Sequence, residues 1–323
     1  MQVKRVAVVC VAVAAGTLAL GRPASAGTVG YQSYSDRSGT YAVLYFTAAT
    51  GERNNVAVAM TPTTAVITDA RRLSTPDPAF TATSDHCAFT DDRAVCRTDG
   101  EQFVHAVVSL GDGDDTGRVE ITPLLGNAPW PVLGEFDTID GGPGNDALIG
   151  SEADDRLIGG PGADDIQGGG GIEDYVTYAD DGDQTQGVTV TLDDVANDGR
   201  PGEGDNVHRD VESVVGAQQG GNDLTGSAVD DSLWGGAGDD VLRGKAGNDE
   251  LHGDSSFMPG AGGHNVLDGG IGLDTLFGGE QDDVIYADDG QPDLRIVCGG
   301  GNDTVYDDRF DSPDADCETV HTG

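Results

Sequence analysis

The sequence predicts an all-β protein, a solenoid of stacked nine-residue repeats with an all-β N-terminal cap, and three observations lead to that fold class. Glycine supplies 51 of the 323 residues, roughly twice its average share. A glycine-rich unit recurs every nine residues through much of the second half of the chain. Within each unit an Asp is followed two places later by an apolar residue, the alternation of a very short, half-buried strand.

The first repeat array contains four units without a gap, from residue 141 to residue 176. In each unit an acidic residue precedes the strand and an apolar residue lies at its centre. The acidic residues are Asp146, Asp155, Asp164 and Glu173, and the apolar residues are Leu148, Leu157, Ile166 and Tyr175.

The second array begins at Gly226 and is interrupted by seven extra residues at 253–259. The period resumes at Gly260, and weaker half-copies surround Asp137 and Asn222. The residues in the acidic position are Asp231, Asp240, Asp249, Asn265, Asp274, Asp283 and Asp303.

Each position of the unit has a physical role. Glycines permit a tight turn with positive φ, and the residues after the Asp form a strand. One unit cannot bury its single apolar side chain alone, so two units make one eighteen-residue coil, and successive coils stack as parallel strands about 4.8 Å apart. This stacking predicts that Asp146 lies over Asp164 and Asp231 over Asp249.

The charge of the chain limits its partners. There are 57 acidic and 17 basic residues, for a net charge of -40. Such a balance argues against nucleic-acid binding and against docking on anionic lipid. Stacked carboxylates repel one another unless a cation lies between them, and a set of oxygen ligands favours Ca²⁺ over zinc or copper. The predicted ligands are Asp146, Asp155, Asp164, Asp231, Asp240, Asp249, Asp274, Asp283 and Asp303.

The repeat G-G-x-G-x-D-x-U-x resembles that of the RTX family, the hemolysin-type calcium-binding nonapeptide repeats. The best copies are 141–149, 159–167 and 235–243. The resemblance implies a parallel β-roll in which the repeat Asp and turn carbonyls bind several Ca²⁺ ions between adjacent coils. It covers about residues 132–176 and 217–306. A low-complexity Gly/Asp tract without fixed structure is the alternative, but it would not keep an apolar residue two places after nearly every Asp.

Some units depart from the pattern. Met258 stands where the Asp after Asp249 is expected, which predicts that the insertion breaks this row of Asp residues. Glu173, Asn222 and Asn265 replace Asp, and we expect weak or empty sites there.

The regions around the arrays complete the predicted organisation. Residues 27–131 read as the all-β cap, with strands at 40–47, 55–60, 64–68 and 102–110, and residues 307–323 as a C-terminal cap. Residues 177–216 break the period and form a hairpin-like insert between the arrays at 132–176 and 217–306. Asp194 to Asp205 partly fits an EF-hand loop with Gly199 at its sixth position, although Ala196 occupies a ligand position. A solvated hairpin is the alternative.

Residues 1–26 are typical of a secretory signal peptide. Lys4 and Arg5 precede an apolar run of fifteen residues, Val6 to Leu20, and Ala24-Ser25-Ala26 is a small-residue cleavage site. The sequence therefore predicts a secreted, extracellular protein, with an uncleaved N-terminal anchor as the alternative. RTX proteins commonly use an uncleaved C-terminal export signal, so that feature of the family does not transfer. No later stretch is apolar enough to enter a membrane.

Four cysteines follow the predicted cleavage site, namely Cys87, Cys96, Cys298 and Cys317. An even number in an exported chain favours disulfides. Three pairings are possible, and Cys87–Cys96 with Cys298–Cys317 closes the shortest loops.

No motif for catalysis occurs: the chain has no H-E-x-x-H, no G-x-S-x-G and no P-loop. We therefore expect no catalytic residues and a structural or interaction role with an unidentified protein or carbohydrate partner. A polysaccharide-active lyase or epimerase on the solenoid is one alternative. An adhesin or ice-type binder is another, although Thr138, Thr275 and Thr304 are too scattered to form ordered rows.

Overall fold

The computed structural model describes residues 28–35, 40–48, 53–61, 63–69, 87–90, 93–97, 102–121, 136–180, 182–254 and 262–323. The predicted signal peptide and Met258 lie outside these residues. Within them, the regular structure consists of β-strands, and no helix is long and apolar enough to cross a membrane. The strands are β1 (Thr28–Ser35), β2 (Thr40–Thr47), β3 (Asn55–Thr61), β4 (Thr64–Asp69), β5 (Cys87–Thr90), β6 (Arg93–Arg97), β7 (Gln102–Ser109), β8 (Thr116–Ile121), β9 (Asp137–Asp140), β10 (Ala147–Ile149), β11 (Asp155–Ile158), β12 (Asp165–Gln167), β13 (Tyr175–Thr177), β14 (Thr189–Thr191), β15 (Asn206–Val207), β16 (Ser213–Val215), β17 (Asp223–Thr225), β18 (Ser232–Gly236), β19 (Val241–Ala246), β20 (Glu250–Asp254), β21 (Val266–Ile271), β22 (Thr275–Glu280), β23 (Val284–Ala287), β24 (Arg295–Gly300), β25 (Thr304–Asp307) and β26 (Thr319–Thr322).

The strands form one long sheet and two short ones. The long sheet has eleven strands in the order β1-β2-β7-β9-β11-β13-β16-β18-β20-β22-β24. The first short sheet has the order β15-β12-β10-β8-β3-β4-β6-β5, and the second has the order β14-β17-β19-β21-β23-β25-β26. From β7 to β13, and again from β16 to β25, consecutive strands alternate between the long sheet and a short one. Two strands therefore make one coil, as the nine-residue period predicts.

The register of the strands confirms the eighteen-residue coil. Leu148 pairs with Ile166 across two parallel strands, and Leu233 pairs with Leu251. The apolar residue at the centre of each of these strands is fully buried, because the long sheet faces the short sheets across the interior of the roll. These residues include Leu148, Leu157, Ile166, Leu224, Leu233, Leu242, Leu251, Leu267, Leu276, Ile285 and Val305, all at 0% exposure. The all-β parallel roll is thus confirmed.

The seven-residue insertion does not interrupt the stacking. Leu251 pairs with Leu276, twenty-five residues later, and Leu242 pairs with Leu267 at the same separation. The backbone N–H of Asp249 donates to Asp274 Oδ1 at 2.8 Å. The prediction that Met258 breaks the row is therefore wrong, since the extra residues lengthen one coil and the strand register resumes after them.

The fourth unit of the first array has a different phase from the predicted one. Leu157 pairs with Val176, nineteen residues on, and not with Tyr175. Asp174 is fully buried at the acidic position, whereas Glu173 is exposed. The turn at 168–174 holds one residue more than the preceding turns of the first array, so the prediction for Glu173 and Tyr175 is wrong by one position.

The N-terminal region is all-β and joins the roll through the long sheet. The parallel strand β7 pairs with β2 on one side and β9 on the other. Antiparallel pairs β1–β2, β3–β4 and β5–β6 precede the regular coils. The predicted strands at 40–47, 55–60, 64–68 and 102–110 correspond to β2, β3, β4 and β7.

Both predicted disulfides are present. Cys87–Cys96 links directly paired positions of β5 and β6. Cys298–Cys317 ties β24 to the C-terminal segment.

Candidate calcium sites

Carboxylates line both edges of the roll, one row before the strands of the long sheet and one before the strands of the short sheets. We call these the long row and the short row. The long row contains Asp137, Asp155, Asp174, Glu212, Asp231, Asp249, Asp274 and Asp293. The short row contains Asp146, Asp164 and Asp205 in the first short sheet, then Asn222, Asp240, Asn265, Asp283 and Asp303 in the second.

Adjacent carboxylates of a row are connected by hydrogen bonds. The backbone N–H of Asp146 donates to Asp164 Oδ1 at 2.8 Å, and that of Asp231 donates to Asp249 Oδ1 at 2.8 Å. The same bond joins the N–H of Asp283 to Asp303 Oδ1 at 2.8 Å. The structure thus brings the predicted Asp residues into the two stacked rows that the period implies.

The second oxygen of most of these carboxylates is buried and lacks a hydrogen-bond donor. A buried acceptor without a partner costs free energy, more so when it carries charge. The unpartnered atoms are Oδ2 of Asp137, Asp146, Asp164, Asp174, Asp240, Asp249, Asp274, Asp283 and Asp303, and Oδ1 of Asp155.

The space in front of the unpartnered oxygens is bordered by carbonyl oxygens of the next coil. A Cβ added at Gly141 would lie 2.5 Å from Asp146 Oδ2 and 2.6 Å from the carbonyl oxygen of Gly159. A Cβ at Gly235 would lie 2.5 Å from both Asp240 Oδ2 and the carbonyl oxygen of Gly253. The first glycine of the unit therefore keeps open a gap between two acceptors. No donor fills this gap, and a hard cation with oxygen ligands fits it.

The ligand set is one of carboxylates together with backbone carbonyls. Within the described part of the chain, no three His, Cys, Asp or Glu side chains converge to hold a metal ion by themselves. Ca²⁺ accepts carbonyl oxygens readily, whereas zinc is held by His, Cys and carboxylate side chains. The donor set fits calcium.

Burial raises the pKa values of the row carboxyl groups. The pKa of Asp146 rises to about 7 and that of Asp164 to about 8, with loss of hydration as the largest cause and neighbouring carboxylates as a further one. Asp155 and Asp174 rise to about 8 for the same reasons. The ionised form is thus disfavoured in the absence of a counter-charge, and a bound cation would remove that penalty.

Asp231 differs from the other predicted ligands. Its Oδ2 accepts hydrogen bonds from the backbone N–H and the hydroxyl of Ser227, at 2.6 and 3.1 Å. Ser227 replaces the second glycine of its unit. Ser151 occupies the same position before Asp155 and donates its N–H to Asp155 Oδ2 at 2.5 Å, which leaves Oδ1 of that residue as the unpartnered atom. The hydroxyl of Ser227 is thus a donor that a glycine in this position lacks.

The EF-hand-like loop is organised by hydrogen bonds within the protein. The two carboxylate oxygens of Asp198 accept the N–H groups of Thr191 and Val207, both at 2.8 Å. Asp194 pairs with Arg209 and with His208. An antiparallel bridge joins Asp198 to Asp205. These contacts favour the hairpin interpretation over an independent calcium site.

Sequence reasoning missed several residues of the rows. The N–H of Asp274 donates to Asp293 Oδ1 at 3.0 Å, and burial raises the pKa of Asp293 to about 7. Asp137 is nearly fully buried, and its pKa also rises to about 7. Asp293 follows a turn without the double glycine, and four consecutive glycines at 168–171 leave the phase of Asp174 ambiguous. Of these three residues, only Asp137 could have been found from the sequence, because its half-copy keeps the Asp-x-apolar spacing of the repeat.

A parallel roll with carboxylate and carbonyl oxygens facing each other along its edges defines the class of calcium-binding β-rolls. A model of the RTX calcium-binding nonapeptide repeat (4 copies) matches residues 140–172, 217–255 and 259–293. The chain therefore contains RTX calcium-binding nonapeptide repeats, as its sequence predicts, and calcium is the ion of that repeat. None of the curated proteins compared with the chain matches it.

Proposed function

We propose that this protein is a secreted RTX β-roll in which Ca²⁺, bound between coils by the row Asp residues and turn carbonyls, drives folding after export. It serves a structural or interaction role and has no catalytic residues. The observation that carries the proposal is the set of buried, unpartnered carboxylate oxygens that face carbonyl oxygens of the next coil. The ligands that we propose include Asp146, Asp155, Asp164, Asp240, Asp249, Asp274, Asp283 and Asp303, with Asp137 and Asp174 added and Asp231 the weakest of the set.

The energetics of the roll support a requirement for the ion. A strand such as β10 buries one aliphatic side chain, which contributes about 1.5–3 kcal/mol. Ordering the backbone costs about 1–2 kcal/mol for each residue. The net charge of -40 opposes compaction further. Ion binding would then supply folding free energy directly, as in other small metal-dependent units.

The place of folding follows from typical calcium affinities. Extracellular calcium modules bind at about 10⁻⁴–10⁻³ M, so the roll would stay loose in the low-calcium cytosol and close outside the cell. The disulfides near the two ends fit an oxidising compartment. The predicted signal peptide at 1–26 supports the same route.

Aromatic side chains on the outer face of the long sheet stack on one another, and this stacking argues against the polysaccharide-active alternative. Trp234, His252 and Phe277 form a ladder with ring centroids 3.7 and 4.5 Å apart. Each inner ring face is covered by its neighbour, whereas a sugar-binding platform presents ring faces to the ligand. The ladder therefore contributes to coil packing and does not favour the polysaccharide-active alternative.

Far-UV circular dichroism and hydrodynamic radius, measured in chelator, in millimolar Ca²⁺ and in millimolar Mg²⁺, test the proposal. We expect a compact, β-rich state in Ca²⁺ only, because Mg²⁺ requires a tighter octahedral site. Identical spectra and radii with and without Ca²⁺ would contradict calcium-driven folding.

A further inference from the structure

Two positions of the short row carry a neutral amide in place of a carboxylate. Asn222 accepts the N–H groups of Val188 and Ala217 on its Oδ1, both at 3.0 Å. Its Nδ2 donates to the carbonyl oxygens of Gly235 at 2.8 Å and Gly220 at 2.9 Å. Backbone N–H groups can meet only the oxygen, and carbonyl groups only the nitrogen, so these partners fix the orientation of the amide.

Asn265 has the same arrangement two coils further along. Its Oδ1 accepts the N–H of Asp240 at 3.1 Å, the bond that an Asp makes at this position. Its Nδ2 donates to the carbonyl oxygen of Gly278 at 3.2 Å and to Asp254 Oδ1 at 3.0 Å.

The amide nitrogen lies where the Asp positions have their unpartnered oxygen. A Cβ added at Gly216 would lie 2.8 Å from Asn222 Nδ2 and 2.8 Å from the carbonyl oxygen of Gly235. The equivalent position at Gly278 lies 2.5 Å from Asp283 Oδ2 and 2.6 Å from the carbonyl oxygen of Cys298. The gap is the same, but the Asn donates across it to the next coil, whereas the Asp leaves two acceptors facing each other.

A hydroxyl group performs the same task at the end of the first short sheet. Tyr178, buried to 1% exposure, donates its hydroxyl to Asp205 Oδ2 at 3.0 Å. Asp205 Oδ1 accepts the N–H of Asp164 at 3.0 Å, as in the rest of the row. A neutral donor therefore completes a position of the short row at three places, two of which, Asp205 and Asn222, flank the break between the short sheets.

We infer that Asn222 and Asn265 are metal-free spacers whose amides close adjacent coils by hydrogen bonds, so that the calcium sites at Asp240 and Asp283 are separated by positions that bind no ion. The inference rests on the proposed function, because it assumes Ca²⁺ at the Asp positions. It means that no two successive positions of the short row between Asn222 and Asp283 carry a like charge, which removes the repulsion present between Asp249 and Asp274 in the long row.

Equilibrium dialysis with Ca²⁺, which gives the number of ions bound to each chain at saturation, tests the spacers. Asn265→Asp should bind one ion more than the wild-type protein, since its new carboxylate faces the carbonyl of Gly278 and Asp254. Asn145→Asp is the matched control. It adds the same charge at an exposed turn residue, and its oxygen can still accept the N–H of Ala163, so the count should stay at the wild-type value.

The reciprocal variant is Asp283→Asn, which should bind one ion fewer. Its side-chain amide should keep the coil closed by a hydrogen bond to the carbonyl oxygen of Cys298. This variant decides the question if Asn265→Asp does not fold. An unchanged ion count in Asn265→Asp or in Asp283→Asn overturns the inference, because ion binding would then not depend on whether this position holds an amide or a carboxylate. Failure of the wild-type protein to bind Ca²⁺ would instead overturn the proposed function.

Discussion

The predicted N-terminal cap and the repeat roll share the long sheet, but their strands bury different amounts of apolar surface. The cap strand β2 is eight residues long and buries Ala42, Val43, Leu44 and Phe46. The roll strand β10 is three residues long and buries only Leu148. Buried carboxylates replace the missing apolar surface at the edges of the roll. A continuous sheet therefore passes from a region held by hydrophobic packing to one in which we propose that bound ions supply part of the stability.

Removal of calcium should produce the largest difference between the two regions. In chelator we expect amides of β10, β12, β19 and β21 to exchange quickly, while those of β3 and β6 keep much of their protection. Hydrogen exchange followed by mass spectrometry measures both regions in one sample. Uniform loss of protection along the chain would show that the cap also depends on calcium.

Acidification of the metal-free protein should restore part of the roll. Burial raises the pKa of Asp155 and Asp174 from 3.8 to about 8 and that of Asp249 to about 7. Between about pH 4 and pH 8 the folded state therefore holds protons that the unfolded state has released, so the stability of the metal-free roll falls as pH rises.

We expect circular dichroism of metal-free protein to show more β-structure near about pH 5 than near about pH 8. In saturating Ca²⁺ the trend should reverse, because protons compete with the ion for the same oxygens. A metal-free spectrum that does not change with pH would argue that the row carboxylates are solvated.

Loss of a terminal disulfide should destabilise one end of the molecule only. Cys298–Cys317 closes a loop with a sequence separation of 19 residues, so Cys298→Ser with Cys317→Ser should cost about 2–4 kcal/mol. Urea unfolding monitored at β24–β26 measures the change. The double variant Cys87→Ser with Cys96→Ser is the control, and it should leave the C-terminal coils unaffected.

A single ligand substitution should have the smallest effect of the four. Asp249→Ala removes one proposed calcium ligand and leaves the N–H of Asp231 without its acceptor, which alone costs about 1–3 kcal/mol. The calcium midpoint of folding should rise. Asp288→Ala, at an exposed turn residue, is the control, and equal midpoints for both variants would exclude Asp249 from the ligand set.

The nine-residue period was sufficient to predict the coil, its buried centre and the stacking of the Asp residues. It failed at 253–259 because hydrogen bonds between strands fix the register on both sides of an insertion, whatever the length of the turn. It failed at Glu173 because consecutive glycines permit two phases, and burial of Val176 decides between them. The spacer role of Asn222 and Asn265 depends on which oxygen and nitrogen atoms face each other, and spacing carries no such information.

The ladder of Trp234, His252 and Phe277 has an optical consequence. The indole of Trp234 belongs to one coil and the imidazole 3.7 Å away belongs to the next. Any widening of this spacing would expose the indole face to water and shift its emission to longer wavelength. The second array thus contains an intrinsic fluorophore that reports the distance between two of its coils, without any label attached.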